Sequence, residues 1–357
     1  MLMWFDKYLN LYLNFIIYLP CRAIFSLLTA FCINLYCGSY FIYYMKKLQK
    51  YQIIRKNGPK THYCKNKTPT MGGLFILMSI IISTIIYCDL SNIYVWYVIS
   101  ILIGYGVIGF IDDYKKIKNK NSQGLTLVWK YFLLSIFALG MIVIIKNNSQ
   151  DIFHSQLIVP FYTNKIVEIN YMYIFLSYLV IVGTSNAVNL TDGLDGLAIM
   201  PVIFLTCGFL LISFLSSNIN ISSSLNISYI KYSSELVILC SSIIGSGLGF
   251  LWFNSYPAQI FMGDVGSLSL GGSLGVIAIL LHQEILLIIM GGIFVFETMS
   301  VILQVISFKI RKKRIFKMSP IHHHYEIKGL PEPLIIVRFW IIALLLLLIS
   351  LISLQVH

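Results

Sequence analysis

The chain alternates long apolar segments with short polar ones, a pattern that predicts membrane-spanning helices. Crossing the hydrocarbon core, about 30 Å thick, takes about 20 mostly apolar residues, because each helical residue rises about 1.5 Å. We therefore predict an all-α integral membrane protein with about ten transmembrane helices in one domain, residues 1–357, with an interfacial segment at 1–22. The ten predicted spans are 24–45, 71–88, 93–111, 127–145, 171–188, 197–215, 236–253, 265–281, 285–308 and 334–354.

The composition supports a membrane protein and excludes a water-soluble domain. Of the 357 residues, 58% are hydrophobic and only 11% are charged, whereas soluble domains are about 25% charged. The net charge of +12 is explained by the basic loops that topology and anionic lipids favour. No nucleic-acid-binding fold or stacking pattern accompanies this charge, so we expect no nucleic-acid partner.

The basic residues also predict which side each loop faces. Twenty of the 26 Lys and Arg residues lie in the loops after the first, third and ninth predicted spans, counting Lys130 in the first turn of the fourth span. Such residues concentrate in short cytoplasmic loops. The odd-numbered loops are therefore predicted to be cytoplasmic, and both termini are predicted to lie on the opposite side.

Five aspartates gather at the predicted cytoplasmic ends of the third, fifth and seventh spans or in the short loops beyond them. Carboxylates at a membrane boundary are costly unless they are solvated, paired or bound to a cation. A capping or solvated loop role explains any single aspartate equally well, but five together favour a cation and phosphate site. Mg²⁺ usually takes one or two carboxylates with phosphate oxygens and water, so not all five are expected to be ligands. The five are Asp112, Asp113, Asp192, Asp195 and Asp264.

The spacing of these residues suggests separate roles. Asp112 and Asp113 are adjacent, and their mutual repulsion suits one as a metal ligand and the other as a base. Asn189, Asp192 and Asp195 recur every three residues, so they share a face if that segment is helical. Asp264 lies where the eighth span begins, and a helix N-terminus suits phosphate, although a plain N-cap is the alternative.

Three further features lie outside the aspartate segments. Residues 58–73 place lysines and threonines before a Gly-Gly helix start, and residues 316–329 contain His322, His323 and His324. Successive side chains point about 100° apart on a helix, so hydrogen bonding to a polar substrate suits these histidines better than one shared metal; a solvated loop is the alternative. Glu297 lies inside the ninth span, where an ionisable group is either functional or hydrogen-bonded to another helix. Gly291 and Gly292 precede it and let that helix bend.

Together these segments resemble the bacterial phospho-N-acetylmuramoyl-pentapeptide transferases over essentially the whole chain. The wider superfamily joins sugar 1-phosphates to polyprenyl phosphates, and the triple His followed by Tyr-Glu-Ile-Lys-Gly favours the muramoyl-pentapeptide branch. Lys67 departs from the family pattern, which usually has Gly at that position. The matching segments are 62–73, 112–113, 186–198, 254–266 and 320–329.

The resemblance implies a reaction and a set of site residues. Undecaprenyl phosphate would attack the β-phosphorus of UDP-N-acetylmuramoyl-pentapeptide and release UMP, with Mg²⁺ as cofactor. Asp264 would bind the metal, and Asp112 or Asp113 would accept a proton from the lipid phosphate or orient it; a covalent aspartyl route uses the same residues. Phe261 and Gln304 would contact uracil, or else serve in packing or capping. The implied substrate-binding residues are Lys65, Thr70, Lys116, Lys130, Asn186, Asn189, Asp192, Asp195, Asn254, Phe261, Gln304, His322, His323 and His324.

The resemblance also implies a location and partners. We expect a multi-pass protein of the bacterial inner membrane with periplasmic termini, an active site on the cytoplasmic face, and the lipid bilayer and both substrates as partners. A homodimer is a further candidate assembly. Two other functions compete with this interpretation: transfer of N-acetylglucosamine 1-phosphate, and membrane transport through broken helices.

Overall fold

The computed structural model describes residues 18–48, 51, 68–119, 124–148, 156–161, 166–168, 172–225 and 227–354. In these residues the chain is mainly helical, with one antiparallel pair of three-residue strands. The elements in chain order are α1 (Leu19–Lys47), α2 (Gly73–Tyr87), α3 (Ile93–Lys118), α4 (Leu127–Asn148), β1 (Gln156–Ile158), β2 (Ile166–Glu168), α5 (Met172–Thr191), α6 (Ile199–Ser216), α7 (Ile219–Ser224), α8 (Ser234–Asn254), α9 (Gly263–Leu280), α10 (Glu284–Met290), α11 (Gly292–Arg311), α12 (Ile321–Ile327) and α13 (Glu332–Ser353).

The predicted spans correspond to helices of the structure. In the described part of the chain, nine helices are long and apolar enough to cross a membrane: α1, α3, α4, α5, α6, α8, α9, α11 and α13. The second predicted span is the 15-residue helix α2, which is short for a full crossing. The prediction of an all-α integral membrane protein is therefore confirmed. The β1–β2 pair and the short helices α7 and α12 were not predicted from the sequence.

Three helix boundaries differ from the predicted ones in ways that matter for the site. α3 continues past the predicted end at 111 to Lys118, so Asp112 and Asp113 lie on its last turns. The predicted ninth span is interrupted at Gly291, between α10 and α11, at the glycine pair where a bend was expected. α1 begins at Leu19, so residues 19–22 of the predicted interfacial segment form its first turn; residues 1–17 lie outside the described residues.

Helices α8 and α9 form the centre of the bundle. α8 packs against α1, α6 and α2, while α9 packs against α3, α5 and α2. Lipid offers helices little hydrophobic drive to associate, so small residues that permit close backbone approach are favoured at their contacts. A Cβ added at Gly271 of α9 would lie 2.7 Å from the Cα of Ser185 in α5. This close contact brings the end of α5 next to the start of α9.

Candidate active site

Three of the five predicted aspartates meet at one end of the bundle. Asp112 and Asp113 come from the end of α3, and Asp264 comes from the first turn of α9. One carboxylate oxygen from each of the three lies within 4.8 Å of the other two. Asp112 and Asp113 are almost fully buried, and Asp264 is partly buried. Such a group of carboxylates requires positive charge nearby.

Small residues allow the three helix ends to converge. A Cβ added at Gly109 of α3 would lie 2.3 Å from the carbonyl oxygen of Asp264. One added at Gly73, the first residue of α2, would lie 2.1 Å from the backbone nitrogen of Gly266. Any larger side chain at either position would push α2 or α3 away from the start of α9.

Gly263 shapes the turn that places Asp264. Its φ is +74°, in the left-handed region that residues with a Cβ rarely adopt. An added Cβ would also lie 2.5 Å from Oδ2 of Asp113 and 3.1 Å from Oγ1 of Thr70. Thr70 is therefore at the edge of the carboxylate cluster. Gly263 was not among the predicted site residues, although its position immediately before Asp264 was a usable signal.

Substituting Gly263 with alanine is expected to lower turnover by about 10-fold to 100-fold, because an ångström-scale shift of reacting groups has effects of that size. The measurement is product formation by the purified variant at saturating substrate. Gly140→Ala is the matched control, since nothing lies within 4 Å of a Cβ added there. Equal activity of the two variants would show that the turn at Gly263 tolerates a side chain.

Two lysines supply the positive charge that the carboxylates need. Nζ of Lys116 lies 2.6 Å from Asp112 Oδ2, 2.9 Å from Asp264 Oδ2 and 3.3 Å from Asp113 Oδ1. Nζ of Lys130 lies 2.7 Å from Asp264 Oδ2. The Lys116 ammonium thus lies among all three carboxylates.

The carboxylates of Asp112 and Asp113 differ in the lengths of their contacts. The backbone N–H of Leu125 donates to Asp112 Oδ1 at 2.6 Å, so both oxygens of Asp112 have short contacts. Asp113 accepts from the backbone N–H of Val265 and from Lys116, each at 3.3 Å. Asp113 is therefore better placed than Asp112 to exchange these partners for a substrate.

Asn189 joins the cluster from the end of α5. Its Nδ2 donates to Oδ1 of Asp264 at 2.9 Å and to Oγ of Ser267 at 2.7 Å. Asn189 therefore holds one oxygen of Asp264 while the lysines hold the other. Asn186, one turn earlier, instead donates to the carbonyl of Val182 in its own helix at 2.7 Å.

The helical interpretation of Asn189, Asp192 and Asp195 is wrong. α5 ends at Thr191, and Asp192 and Asp195 lie in the turns that follow. Asp195, only 1% exposed, accepts from the backbone N–H of Ala258 at 2.9 Å. The three side chains therefore do not share one helix face.

Asp192 lies partly buried near the carboxylate cluster. Burial, together with the negative charges of Asp264, Asp113 and Asp195, raises the pKa of Asp192 to about 8. A cation at the cluster would oppose this repulsion and favour ionised Asp192. Asp192 is thus electrostatically part of the site.

Asn254 connects the turn after α5 to the loop after α8. Its Oδ1 accepts from the backbone N–H of Gly196 at 2.9 Å, and its Nδ2 donates to the carbonyl of Ile260 at 2.8 Å. Asn254 is only 2% exposed. In this structure Asn254 and Asp195 hold these two loops together, and their substrate-binding role stays a prediction.

Phe261 and Gln304 also have structural contacts. The backbone of Phe261 pairs with the segment before α2: its N–H donates to Pro69, and its carbonyl accepts from Gly72, both at 2.9 Å. The Gln304 amide accepts from the backbone N–H groups of Ile315 and Phe316 at 3.0 Å. These contacts match the capping alternative for Gln304. Its contact with uracil stays a prediction, as does that of Phe261.

The three consecutive histidines lie on α12 and have three different neighbours. His322 Nδ1 is 3.1 Å from Oε1 of Glu297, and His323 Nδ1 is 2.6 Å from Oε2 of Glu326. His324 Nδ1 accepts from the backbone N–H of Lys317 at 3.0 Å. Partial burial, with Lys328 and Lys317 nearby, lowers the pKa of His324, which favours the neutral ring that this hydrogen bond requires. Lys65, also predicted for the site, lies outside the described residues.

The cluster of Asp112, Asp113 and Asp264 fits a divalent cation of the hard class. Its donors are carboxylate oxygens, which Mg²⁺, Mn²⁺ and Ca²⁺ prefer. Lys116 already brings a positive charge to within 3.3 Å of all three side chains. The donor chemistry fits a cation, which would take the place among the carboxylates that the Lys116 ammonium occupies in this structure.

Comparisons with known proteins agree on one family. The family model described as Glycosyl transferase family 4 matches residues 95–282, a range that contains all three clustered aspartates. Phospho-N-acetylmuramoyl-pentapeptide-transferase signature 1 matches residues 65–77. Proteins named phospho-N-acetylmuramoyl-pentapeptide-transferase from Buchnera aphidicola subsp. Acyrthosiphon pisum, strains Tuc7, APS and 5A, are each 74% identical over 356 residues, covering 100% of this chain and 100% of each relative.

Proposed function

This chain belongs to the phospho-N-acetylmuramoyl-pentapeptide transferases, and we propose that the cluster of Asp112, Asp113 and Asp264 is its catalytic centre. The enzyme transfers phospho-N-acetylmuramoyl-pentapeptide from its UDP-linked form to undecaprenyl phosphate, forming undecaprenyl-diphospho-N-acetylmuramoyl-pentapeptide (lipid I) and UMP. The observation that carries this function is the 74% identity over the full chain. The three clustered carboxylates with their two lysines support the placement of the chemistry.

The reaction joins two anionic substrates. An oxygen of the lipid phosphate forms a bond to the β-phosphorus, and the bond from that phosphorus to the bridging oxygen breaks as UMP leaves. Phosphoryl transfer of this kind depends on positioning and on neutralising charge. We assign Mg²⁺ as the cation and Asp264 as its ligand; bound there, it would neutralise charge on the diphosphate.

Lys116 and Lys130 provide fixed positive charge at the same place. Both Nζ atoms lie within 2.9 Å of Oδ2 of Asp264, at the proposed meeting point of the two phosphate groups. Arranged before the substrates arrive, such charges stabilise developing charge without reorganisation. The two lysines are therefore proposed to bind the substrate phosphates.

We assign Asp113 rather than Asp112 to the acceptor phosphate. Its two contacts are long, 3.3 Å each, so they cost less to exchange than the short contacts of Asp112. In this role Asp113 orients the lipid phosphate and accepts its proton. Asp112, which accepts from the backbone N–H of Leu125 at 2.6 Å, keeps the end of α3 and the following loop in place.

The location of the site suits an acceptor held in lipid. The cluster is at the end of α3 that leads into a basic loop, the side predicted to be cytoplasmic. The prenyl tail would lie in the bilayer while its phosphate reaches the ends of α3 and α9. We propose that the enzyme is a multi-pass protein of the bacterial inner membrane that receives the soluble nucleotide from the cytoplasm.

The test of this function uses purified protein with undecaprenyl phosphate, UDP-N-acetylmuramoyl-pentapeptide and Mg²⁺. We expect UMP release matched by an equal amount of lipid product. UDP-N-acetylglucosamine is the control donor and is expected to release UMP at a small fraction of that rate. Equal or greater release from it would favour the N-acetylglucosamine branch, and translocation of a solute without UMP release would favour a transporter.

A further inference from the structure

Glu297 and His322 form a buried pair between α11 and α12. Both side chains are fully buried, with 0% of each residue exposed, and Nδ1 lies 3.1 Å from Oε1. The second oxygen of Glu297, Oε2, accepts from the backbone N–H of Ile321 at 2.9 Å. One carboxylate thus contacts both the histidine ring and the first turn of the helix that carries it.

A carboxylate buried this deeply needs partners. The first N–H groups of a helix have no partner within the helix, and Glu297 accepts one of them at Ile321. The contact at Nδ1 then limits rotation of the His322 ring. Glu297 can therefore set both the position of α12 and the orientation of its first histidine.

The other ring nitrogen of His322 faces the turn after α5. Nε2 has no hydrogen-bond partner among the residues that the structure describes. The 3.1 Å contact between Nδ1 and Oε1 of Glu297 has the distance of an ion pair but not the geometry of a hydrogen bond. A Cβ added at Gly193 would lie 2.3 Å from this nitrogen, so the ring packs directly on the glycine that follows Asp192. The edge of the ring opposite Glu297 therefore points toward the turn that carries Asp192, beside the carboxylate cluster.

We propose that Glu297 is a positioning residue that acts through His322 on the UDP-linked substrate. Because Nδ1 faces the Glu297 carboxylate, Nε2 is the ring nitrogen on the side of the turn that carries Asp192. A buried ring nitrogen without a partner is costly, so Nε2 is the atom proposed to meet a polar group of the substrate. Gly193 provides the space for this orientation. The inference rests on the proposed function and concerns the nucleotide-sugar substrate rather than the lipid acceptor.

Glu297→Gln is the direct test because it keeps the shape and removes the charge. A glutamine can still accept from the Ile321 N–H, but it presents an uncharged amide to Nδ1 of His322, so the contact between the ring and a carboxylate is lost. We expect kcat/KM for the UDP-linked substrate to fall at least 10-fold, while KM for undecaprenyl phosphate changes less than 2-fold. Glu284→Gln, at another buried glutamate (2% exposed), is the matched control and is expected to retain activity within 2-fold.

Variants at Gly193 and His322 test the proposal even if Glu297→Gln is unstable. Gly193→Ala, which displaces the ring from its other side, is expected to give the same selective loss. In the Glu297→Gln/His322→Asn double variant we expect no more loss than in His322→Asn alone, because both changes remove one interaction. Losses that multiply would overturn the proposal, as would an equal effect on both substrates.

Failure of this inference can be told apart from failure of the proposed function. If the wild-type enzyme forms lipid I but Glu297→Gln stays within 2-fold for both substrates, only the role of Glu297 is wrong. If the wild-type enzyme releases no UMP from the UDP-linked substrate, the proposed function itself fails.

Discussion

Replacing Asp264 with asparagine is expected to lower turnover by about 1,000-fold or more, equivalent to about 4 kcal/mol of transition-state stabilisation. Oδ2 of Asp264 contacts Lys116 and Lys130, while Oδ1 accepts from Asn189 at 2.9 Å. An asparagine keeps the shape but has one acceptor oxygen and no charge. The variant would therefore lose the proposed metal ligand. It would also lose either the contacts with the two lysines or the contact with Asn189.

The measurement is UMP release by the purified Asp264→Asn variant under saturating substrates and Mg²⁺. Thermal unfolding in detergent checks that the variant folds. Asp89→Asn is the matched control: Asp89 accepts from the backbone of Ser91 in the loop beyond the other end of α2, and its variant should keep nearly full activity. If Asp264→Asn keeps more than a tenth of wild-type turnover, the ligand assignment is wrong.

Removing divalent cations is expected to lower turnover by at least about 100-fold, because the neutralisation of two anionic substrates contributes several kcal/mol. Activity should return when Mg²⁺ is added in excess of the chelator. The lysines alone are not expected to substitute for the cation, since Lys116 and Lys130 are already within 2.9 Å of the Asp264 carboxylate.

A second measurement tests the metal site without turnover. A cation that binds the folded protein raises its melting temperature, so Mg²⁺ should stabilise the wild-type protein and have little effect on Asp264→Asn. Mn²⁺ and Ca²⁺ in place of Mg²⁺ would define which hard cations the cluster accepts. Full activity in excess chelator would exclude a metal role for the carboxylates.

Side chains that looked equivalent in the sequence have different neighbours in the fold. Asp195 and Asp264 are both aspartates of loop or helix-start segments, yet Asp264 contacts two lysines while Asp195 accepts from the backbone of Ala258. Their sequence contexts are similar, with glycine beside each. The difference arises because α9 packs on α3 and α5, which places only Asp264 opposite Asp112.

The contact between Glu297 and His322 also could not be predicted from the sequence. Both were noted from the sequence, Glu297 as a buried ionisable group and His322 as part of the triple histidine. Their 3.1 Å contact depends on how the chain folds back after α11, which the apolar pattern does not encode. Hydrophobic periodicity describes one helix at a time and says nothing about which polar residues of distant segments meet.

The apolar pattern by itself determined the membrane class and the ten helical segments, because the thickness and apolarity of the bilayer constrain each span locally. The positions of the acidic residues along the sequence also placed five aspartates at one end of the predicted helices. Only the tertiary structure decided which of them meet. That choice depends on close helix contacts at glycines such as Gly109 and Gly73, where backbones approach through space across long stretches of sequence.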